Sequence, residues 1–193
     1  MSNVIDDIKK NFKSSNSLTK LIYINVGIFL IFQILFVFSF LFSIAELHPS
    51  SFFALPADVS NLIKKPWALI TYMFLHQSFL HLLFNMLTLY FFAPVVIMSV
   101  GVTYFVIIYV ASLLIGNLLS FYFHKDEYHY SAIGASGAVM GVLYSAILFF
   151  PDMGLYLFFI PIPIPAWLFG MAYLLYSIYG MKKRLGNINY KNI

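Results

Sequence analysis

Two short polar stretches in an otherwise apolar chain contain the residues whose types and spacing could do chemistry. In the first stretch, His81 and Asn85 are four positions apart, so on a helix they share one face, and both can donate hydrogen bonds inward. In the second stretch, Ser136 lies between small residues, with Gly134 before it and Gly137 after it, where a polar loop gives way to an apolar run. At the start of a helix the backbone N–H groups are unpaired and can bind a developing oxyanion. These stretches are therefore a candidate serine nucleophile and a candidate set of hydrogen-bond donors.

Each stretch also has a simpler explanation in helix packing. His81 and Asn85 could serve only as interhelical hydrogen bonds, which contribute about 0.6 kcal/mol each on average. Gly137 and Gly141 have the small-xxx-small spacing that lets two helices approach closely. A third polar group is interpreted as packing without chemistry: Gly116, Asn117 and Ser120.

Composition indicates a membrane protein rather than a soluble one. The chain has 193 residues, of which 62% are hydrophobic and 9% charged, whereas soluble domains have about 25% charged residues. The eleven lysines and arginines form no extended patch, so the net charge of +4 indicates membrane flanks and not nucleic-acid binding. The chain has no cysteine, which excludes disulfides, thiolate metal sites and a cysteine nucleophile. His76 and His81 are five apart and no His-Glu-x-x-His pattern is present, so zinc is disfavoured and no metal or cofactor is expected.

Long charge-free blocks predict an all-α, polytopic membrane helical bundle. Charged residues are separated by uninterrupted runs of 25, 59, 24 and 29 uncharged residues, and about 20 helical residues cross a bilayer core. The block of 59 would extend for about 88 Å as one helix at ~1.5 Å per residue, so it must fold back, and Pro94 with residues 99–103 is the predicted break. Five spans result: Leu21–Ala45, Ser78–Met98, Val102–Phe123, Ser136–Phe150 and Pro165–Met181.

The chain divides into a short tail and one membrane domain in this interpretation. Residues 1–20 form a tail with four lysines, which predicts a cytoplasmic N-terminus, and residues 21–193 form the membrane domain. Residues 46–77 mix apolar and polar side chains, including Trp67, and are predicted to lie in the membrane interface. The alternative is an ordinary outer loop anchored by Trp67.

The order of these features resembles the rhomboid family of intramembrane serine proteases. The order is a loop with Trp67, then His-x-x-x-Asn on the second span, then Gly-x-Ser-Gly opening the fourth. The resemblance extends from about Leu18 to the end of the chain, and its strongest parts are the strings Phe79–Met86, Gly134–Gly141 and Ile160–Leu168.

The resemblance implies a role for each candidate residue. Ser136 matches the family's nucleophile, and His81 and Asn85 match the side chains that stabilise the oxyanion together with the Ser136 backbone N–H. Gly134 and Gly137 leave access to the nucleophile. The implied partners are the lipid bilayer and transmembrane segments of membrane-protein substrates. The implied location is a bacterial cytoplasmic (inner) membrane.

One departure from the family pattern affects the predicted activity. Rhomboids use a Ser–His dyad whose histidine lies in a sixth span, and residues 1–193 contain no such segment. We therefore expect this polypeptide to be a rhomboid incomplete at its C-terminus, with little or no activity, because a serine without a base is a weak nucleophile. The alternative is a rhomboid-like pseudoprotease that binds transmembrane helices without cleaving them. A transporter is disfavoured, because no Asp, Glu, Lys or Arg lies inside the spans and no inverted repeat is visible.

Overall fold

The computed structural model describes residues 12–42, 52–56, 58–124, 131–156 and 162–189, with side chains described as far as residue 179 except at residue 124. Its helices are α1 Ser17–Leu41, α2 Val59–Lys64, α3 Ala68–Thr71 with a 3₁₀ turn Tyr72–Phe74, α4 Phe79–His124, α5 Ser136–Phe149 and α6 Ala166–Asn189. Two short antiparallel pairs accompany them: β1 Leu55–Pro56 with β2 Ser131–Ala132, and β3 Gly154–Leu155 with β4 Ile164–Pro165. The prediction of an all-α fold is confirmed.

Among the residues that the structure describes, two helices are long and apolar enough to cross a membrane. These are α1, with 25 residues, and residues Phe79–Phe123 of α4, with 45. The apolar helices Ser136–Phe149 and Ala166–Tyr179 are shorter. The predicted fourth and fifth spans are therefore present as apolar helices. The 14 residues of α5 are fewer than the roughly 20 that cross a bilayer core, whereas α6 has 24.

The break inside α4 is at Gly101 and not at Pro94. Gly101 has φ 82° and ψ 167°, whereas Pro94 lies within the helix. A left-handed φ of this kind is open to glycine and costly for other residues, so the helix is interrupted where glycine allows it. The predicted break within residues 99–103 is confirmed at Gly101, and the part of the prediction that involved Pro94 is wrong.

The start of α1 also differs from the predicted boundary. The helix begins at Ser17, four residues before Leu21, because the Asn16 side chain accepts a hydrogen bond from the Thr19 backbone N–H at 2.8 Å. Part of the predicted tail is therefore helical. The predicted end at Ala45 lies outside the described residues.

By internal contacts the chain divides into two compact units, Met1–Leu143 and Tyr144–Ile193. In the first unit, α4 and α5 approach closely at small residues: a Cβ at Gly116 would lie 3.7 Å from the Gly137 Cα, and one at Gly141 would overlap the Ser112 side chain. In the second unit, the Tyr144 hydroxyl donates to the Gly170 carbonyl at 3.0 Å. The close packing predicted for Gly137 is thus observed, and it is compatible with a chemical role for α5.

Glycine at position 101 is required by its backbone conformation and not by space. An added Cβ would meet nothing within 4 Å, so Gly101→Ala should destabilise the protein only through its φ, by about 1–3 kcal/mol. Gly27→Ala is the matched control, because Gly27 lies inside α1 with equal space and no left-handed φ, and alanine there should stabilise by about 0.5–1 kcal/mol. Thermal unfolding in detergent measures both. Equal effects of the two substitutions would contradict the assignment of the break.

Candidate active site

The chain between α1 and α4 is held by side-chain hydrogen bonds to backbone carbonyls. The Trp67 indole donates to the Phe52 carbonyl at 3.1 Å, and the Thr71 hydroxyl donates to the Phe53 carbonyl at 3.0 Å. Ala68 is fully buried. The described part of this loop is therefore folded onto itself.

Asn117 attaches the same loop to α4. Its side-chain amide donates to the Leu69 carbonyl at 3.2 Å, and Asn117 is almost completely buried. This is the structural role that the sequence predicts for the group around Gly116.

A second connection joins this loop to the segment that leads into α5. Leu55 pairs with Ala132 in the β1–β2 ladder. Two residues further on, the Gly134 backbone N–H donates to the Tyr72 carbonyl at 2.9 Å. These bonds fix the backbone immediately before Ser136 relative to the turn that precedes His76 and His81.

Gly134 is in direct contact with His81. A Cβ built on Gly134 would lie 2.7 Å from His81 Cε1 and 3.0 Å from His81 Nε2, and the φ of Gly134 is +106°. No side chain fits there, and the conformation itself favours glycine. The structure therefore brings the Cε1–Nε2 edge of His81 against the backbone two residues before Ser136.

Ser136 is the first residue of α5, and its side chain is exposed. The Val139 N–H donates to the Ala135 carbonyl at 2.9 Å, which makes this the first intrahelical bond. The N–H groups of Ser136 and Gly137 consequently have no acceptor within the helix, as at every helix N-terminus. They lie where an anion at the Ser136 hydroxyl could be bound.

Asn85 lies one turn along α4 from His81, and its side chain is 5% exposed. Its Nδ2 group is buried and has no hydrogen-bond acceptor within the described ranges. An unsatisfied buried donor costs about 1–3 kcal/mol, so its retention indicates a ligand or a functional role. An acceptor atom of a bound substrate would satisfy it.

His76 packs against His81 from the residues preceding α4. The two ring centroids are 5.2 Å apart with an interplanar angle of 67°. Burial, and secondarily the neighbouring His81, lower the pKa of His76 to about 4. No group of three or more His, Asp or Glu side chains that could hold a metal ion is found among the residues described here. His76 is therefore uncharged at neutral pH, and its ring packs against His81 as a neutral aromatic group.

The residues predicted from the sequence thus fall into connected positions. His81, Asn85, Gly134 and the α5 N-terminus all belong to the unit Met1–Leu143, and Gly134 joins the two polar stretches. Sequence reasoning missed the Tyr72 carbonyl. No sequence pattern indicates it, because any residue type supplies a backbone carbonyl. His48 and His129 lie outside the described residues.

The chain is similar to known rhomboid proteins. The rhomboid domain family model matches residues 64–190. YdcA of Bacillus subtilis (strain 168), named provisionally as a rhomboid protease, is 39% identical over 83 residues, which are 43% of this chain and 40% of YdcA. Rhomboid protein 1, mitochondrial, of Saccharomyces cerevisiae is 33% identical over 120 residues, 61% of this chain and 35% of that protein. The matched segments therefore span well under half of either relative.

Acidification should destabilise the fold through His76. Its pKa is about 4 when folded and 6.5 in the unfolded chain, so the unfolded state binds more protons between these values. Stability should therefore fall as the pH decreases from about 6.5 to 4, with no contribution from His76 to the pH dependence above that window. His76→Gln removes the titrating group and should reduce the loss of the unfolding midpoint between pH 7 and pH 4.5. An identical loss in the variant would show that His76 is not the group responsible.

Proposed function

Because the chain belongs to the rhomboid family, we propose that it is an intramembrane serine endopeptidase. In this proposal it hydrolyses peptide bonds in or near transmembrane segments of membrane-protein substrates, through an acyl-enzyme on Ser136. The observation that carries the proposal is the contact of the His81 imidazole edge with Gly134, two residues before Ser136. This contact puts a side-chain donor beside the unpaired N–H groups of the α5 N-terminus.

The first step is attack by the Ser136 hydroxyl oxygen on the substrate carbonyl carbon. A C–O bond forms, the carbonyl π electrons move to oxygen, and the resulting oxyanion accepts hydrogen bonds from the Ser136 N–H, His81 and Asn85. Asn85 suits this role because its Nδ2 donor is already desolvated and unused among the described residues.

The second step breaks the C–N bond and releases the amine half of the substrate. The acyl ester on Ser136 is then hydrolysed by water, which restores the hydroxyl. The first step needs a base that accepts the Ser136 hydroxyl proton, and the second needs an acid that protonates the leaving amine. His81 is assigned to the oxyanion, and His76 Nδ1 lies 3.3 Å from the Phe74 carbonyl. The histidine base expected from the resemblance therefore stays a prediction.

The length of α5 supports a reaction inside the bilayer. Its 14 residues reach about 21 Å at ~1.5 Å per residue, less than the roughly 30 Å hydrocarbon core. If the C-terminal end of α5 lies near one membrane surface, Ser136 lies below the other. The exposed side chain of Ser136 and the polar residues from His76 to Asn85 would then give water a route to it.

The protein is integral to a membrane, and we propose that residues 21–193, extended to the start of α1, form its rhomboid-like domain. We further propose a bacterial cytoplasmic membrane with the N-terminus in the cytoplasm. The Bacillus subtilis relative favours this location, although a mitochondrial relative also matches. The bilayer and the transmembrane segments of its substrates are the proposed partners.

Cleavage of a transmembrane substrate by the complete gene product tests the proposal. Ser136→Ala should abolish cleavage, and Asn85→Ala should lower the rate by about 10²–10³, as for loss of one oxyanion donor. Ser177→Ala is the matched serine control. Its hydroxyl donates to the Tyr173 carbonyl within α6, so cleavage should be unchanged.

Two outcomes would contradict the proposal in different ways. Cleavage that survives Ser136→Ala would remove Ser136 from the mechanism. If the wild-type protein captured transmembrane helices without cleaving them, and Ser136→Ala captured them equally well, the pseudoprotease alternative would replace it.

A further inference from the structure

The mechanism above leaves one buried titratable side chain in the site without a role. His76 is 8% exposed and lies in the short linker between the 3₁₀ turn and α4. It is in ring contact with His81, and His81 is in contact with Gly134 on its other edge. His81 is therefore held between a buried ring and the backbone that leads to Ser136.

The hydrogen bonding of His76 fixes how its ring lies. Nδ1 lies 3.3 Å from the Phe74 carbonyl oxygen, and because a carbonyl can only accept, Nδ1 carries the hydrogen in this contact. In the neutral ring Nε2 is then an unprotonated lone pair, and it is buried without a partner in the described part of the chain. Because a buried polar atom normally has a hydrogen-bond partner, the unpaired Nε2 indicates that the His76 ring has a role other than forming its own hydrogen bonds.

The backbone around His81 does not orient the imidazole by itself. The His81 N–H donates to the Ser78 hydroxyl at 3.2 Å, which fixes the main chain but leaves the side-chain torsions free. His81 also lies in the first turn of α4, which begins at Phe79. Helix ends fray, so packing has to fix the ring.

We propose that His76 is a positioning residue for His81. Its ring, anchored by the Phe74 carbonyl, packs edge to face on the His81 imidazole and keeps the Cε1–Nε2 edge of His81 against Gly134. The inference rests on the proposed function, since that edge is where the oxyanion of the Ser136 reaction would form. It assigns His76 an effect exerted only through His81, with no contact to the substrate.

Two substitutions separate the ring of His76 from its hydrogen bond. His76→Phe keeps an aromatic ring against His81 and loses the bond to Phe74. His76→Gln can keep a bond to the Phe74 carbonyl and loses the ring. Positioning by the ring predicts that the phenylalanine variant behaves like the wild type and that the glutamine variant does not.

The first readout needs no catalysis. In ¹⁵N-histidine NMR of the protein in detergent at pH 7.5, assigned by the loss of signals in His81→Asn, the wild type should show two well-separated His81 ring nitrogens. This pattern is that of a single neutral tautomer in one orientation. His76→Phe should preserve the separation, and in His76→Gln the two resonances should move toward each other. Loss of the separation in His76→Phe, or its retention in His76→Gln, would overturn the proposal.

The second readout is the rate of substrate cleavage by the complete gene product. His76→Gln should lower kcat about 10- to 100-fold with KM little changed, and His76→Phe should stay within about threefold, since part of one oxyanion donor's effect is lost. In a His81→Ala background, His76→Gln should have no further effect. An equal loss in that background would show that His76 acts on stability and not through His81. If the wild type cleaves nothing, the proposed function fails, and the NMR comparison alone decides the role of His76.

Discussion

One backbone hydrogen bond and the space left by one glycine connect the two polar stretches that form the site. The Gly134 N–H donates to the Tyr72 carbonyl, and the absence of a Cβ on Gly134 admits the His81 ring. The hydrogen bond sets the position of the backbone before α5. The ring contact then determines which part of α4 faces it. If the hydrogen bond and the ring contact were lost, the segment that leads to Ser136 would no longer be attached to the turn of α4 that carries His81.

In a membrane, a buried polar group without a hydrogen-bond partner costs free energy, so a group of this kind indicates a role beyond stabilising the fold. Buried polar groups in these proteins normally find partners, since hydrocarbon offers none. Asn117 does so by donating to the Leu69 carbonyl, while Asn85 Nδ2 and His76 Nε2 have no partner in the described part of the chain. The satisfied amide stabilises the fold. Of the groups without a partner in the described part of the chain, those of Asn85 and His76 belong to residues next to His81, one by helix spacing and one by ring contact, whereas Asn25 Oδ1 and the Tyr109 hydroxyl are not assigned to the site.

The sequence predicts the helices well because the charge-free blocks depend only on what hydrocarbon tolerates. It predicts the break in α4 only as Pro94 with residues 99–103, and does not identify which residue leaves the helix. Proline and glycine both interrupt helices, but Pro94 is accommodated within α4, whereas Gly101 takes a left-handed φ. The start of α1 was also misplaced, because a side-chain cap at Asn16 depends on local geometry and not on hydropathy.

The candidate site, too, is predictable from the sequence only in part. The residue types and spacing of His81, Asn85 and Ser136 are readable from the sequence, and their family resemblance assigns them roles. Their connection is not readable, because it depends on the carbonyl of Tyr72 and on the space beside Gly134. The His76–His81 ring contact likewise depends on the turn before α4, which brings together residues that are five apart and lie on no common helix face.

The central claim is that Gly134 places Ser136 where His81 and Asn85 can reach an anion formed on it. A crystal structure of the complete gene product, with Ser136 phosphonylated by a fluorophosphonate, tests this most directly. The phosphonyl oxygen stands in for the oxyanion of the tetrahedral intermediate. The account predicts that it lies about 2.7–3.1 Å from Asn85 Nδ2, from a His81 ring nitrogen and from the Ser136 backbone nitrogen. A phosphonyl oxygen directed away from both side chains, with His81 still against Gly134, would contradict it.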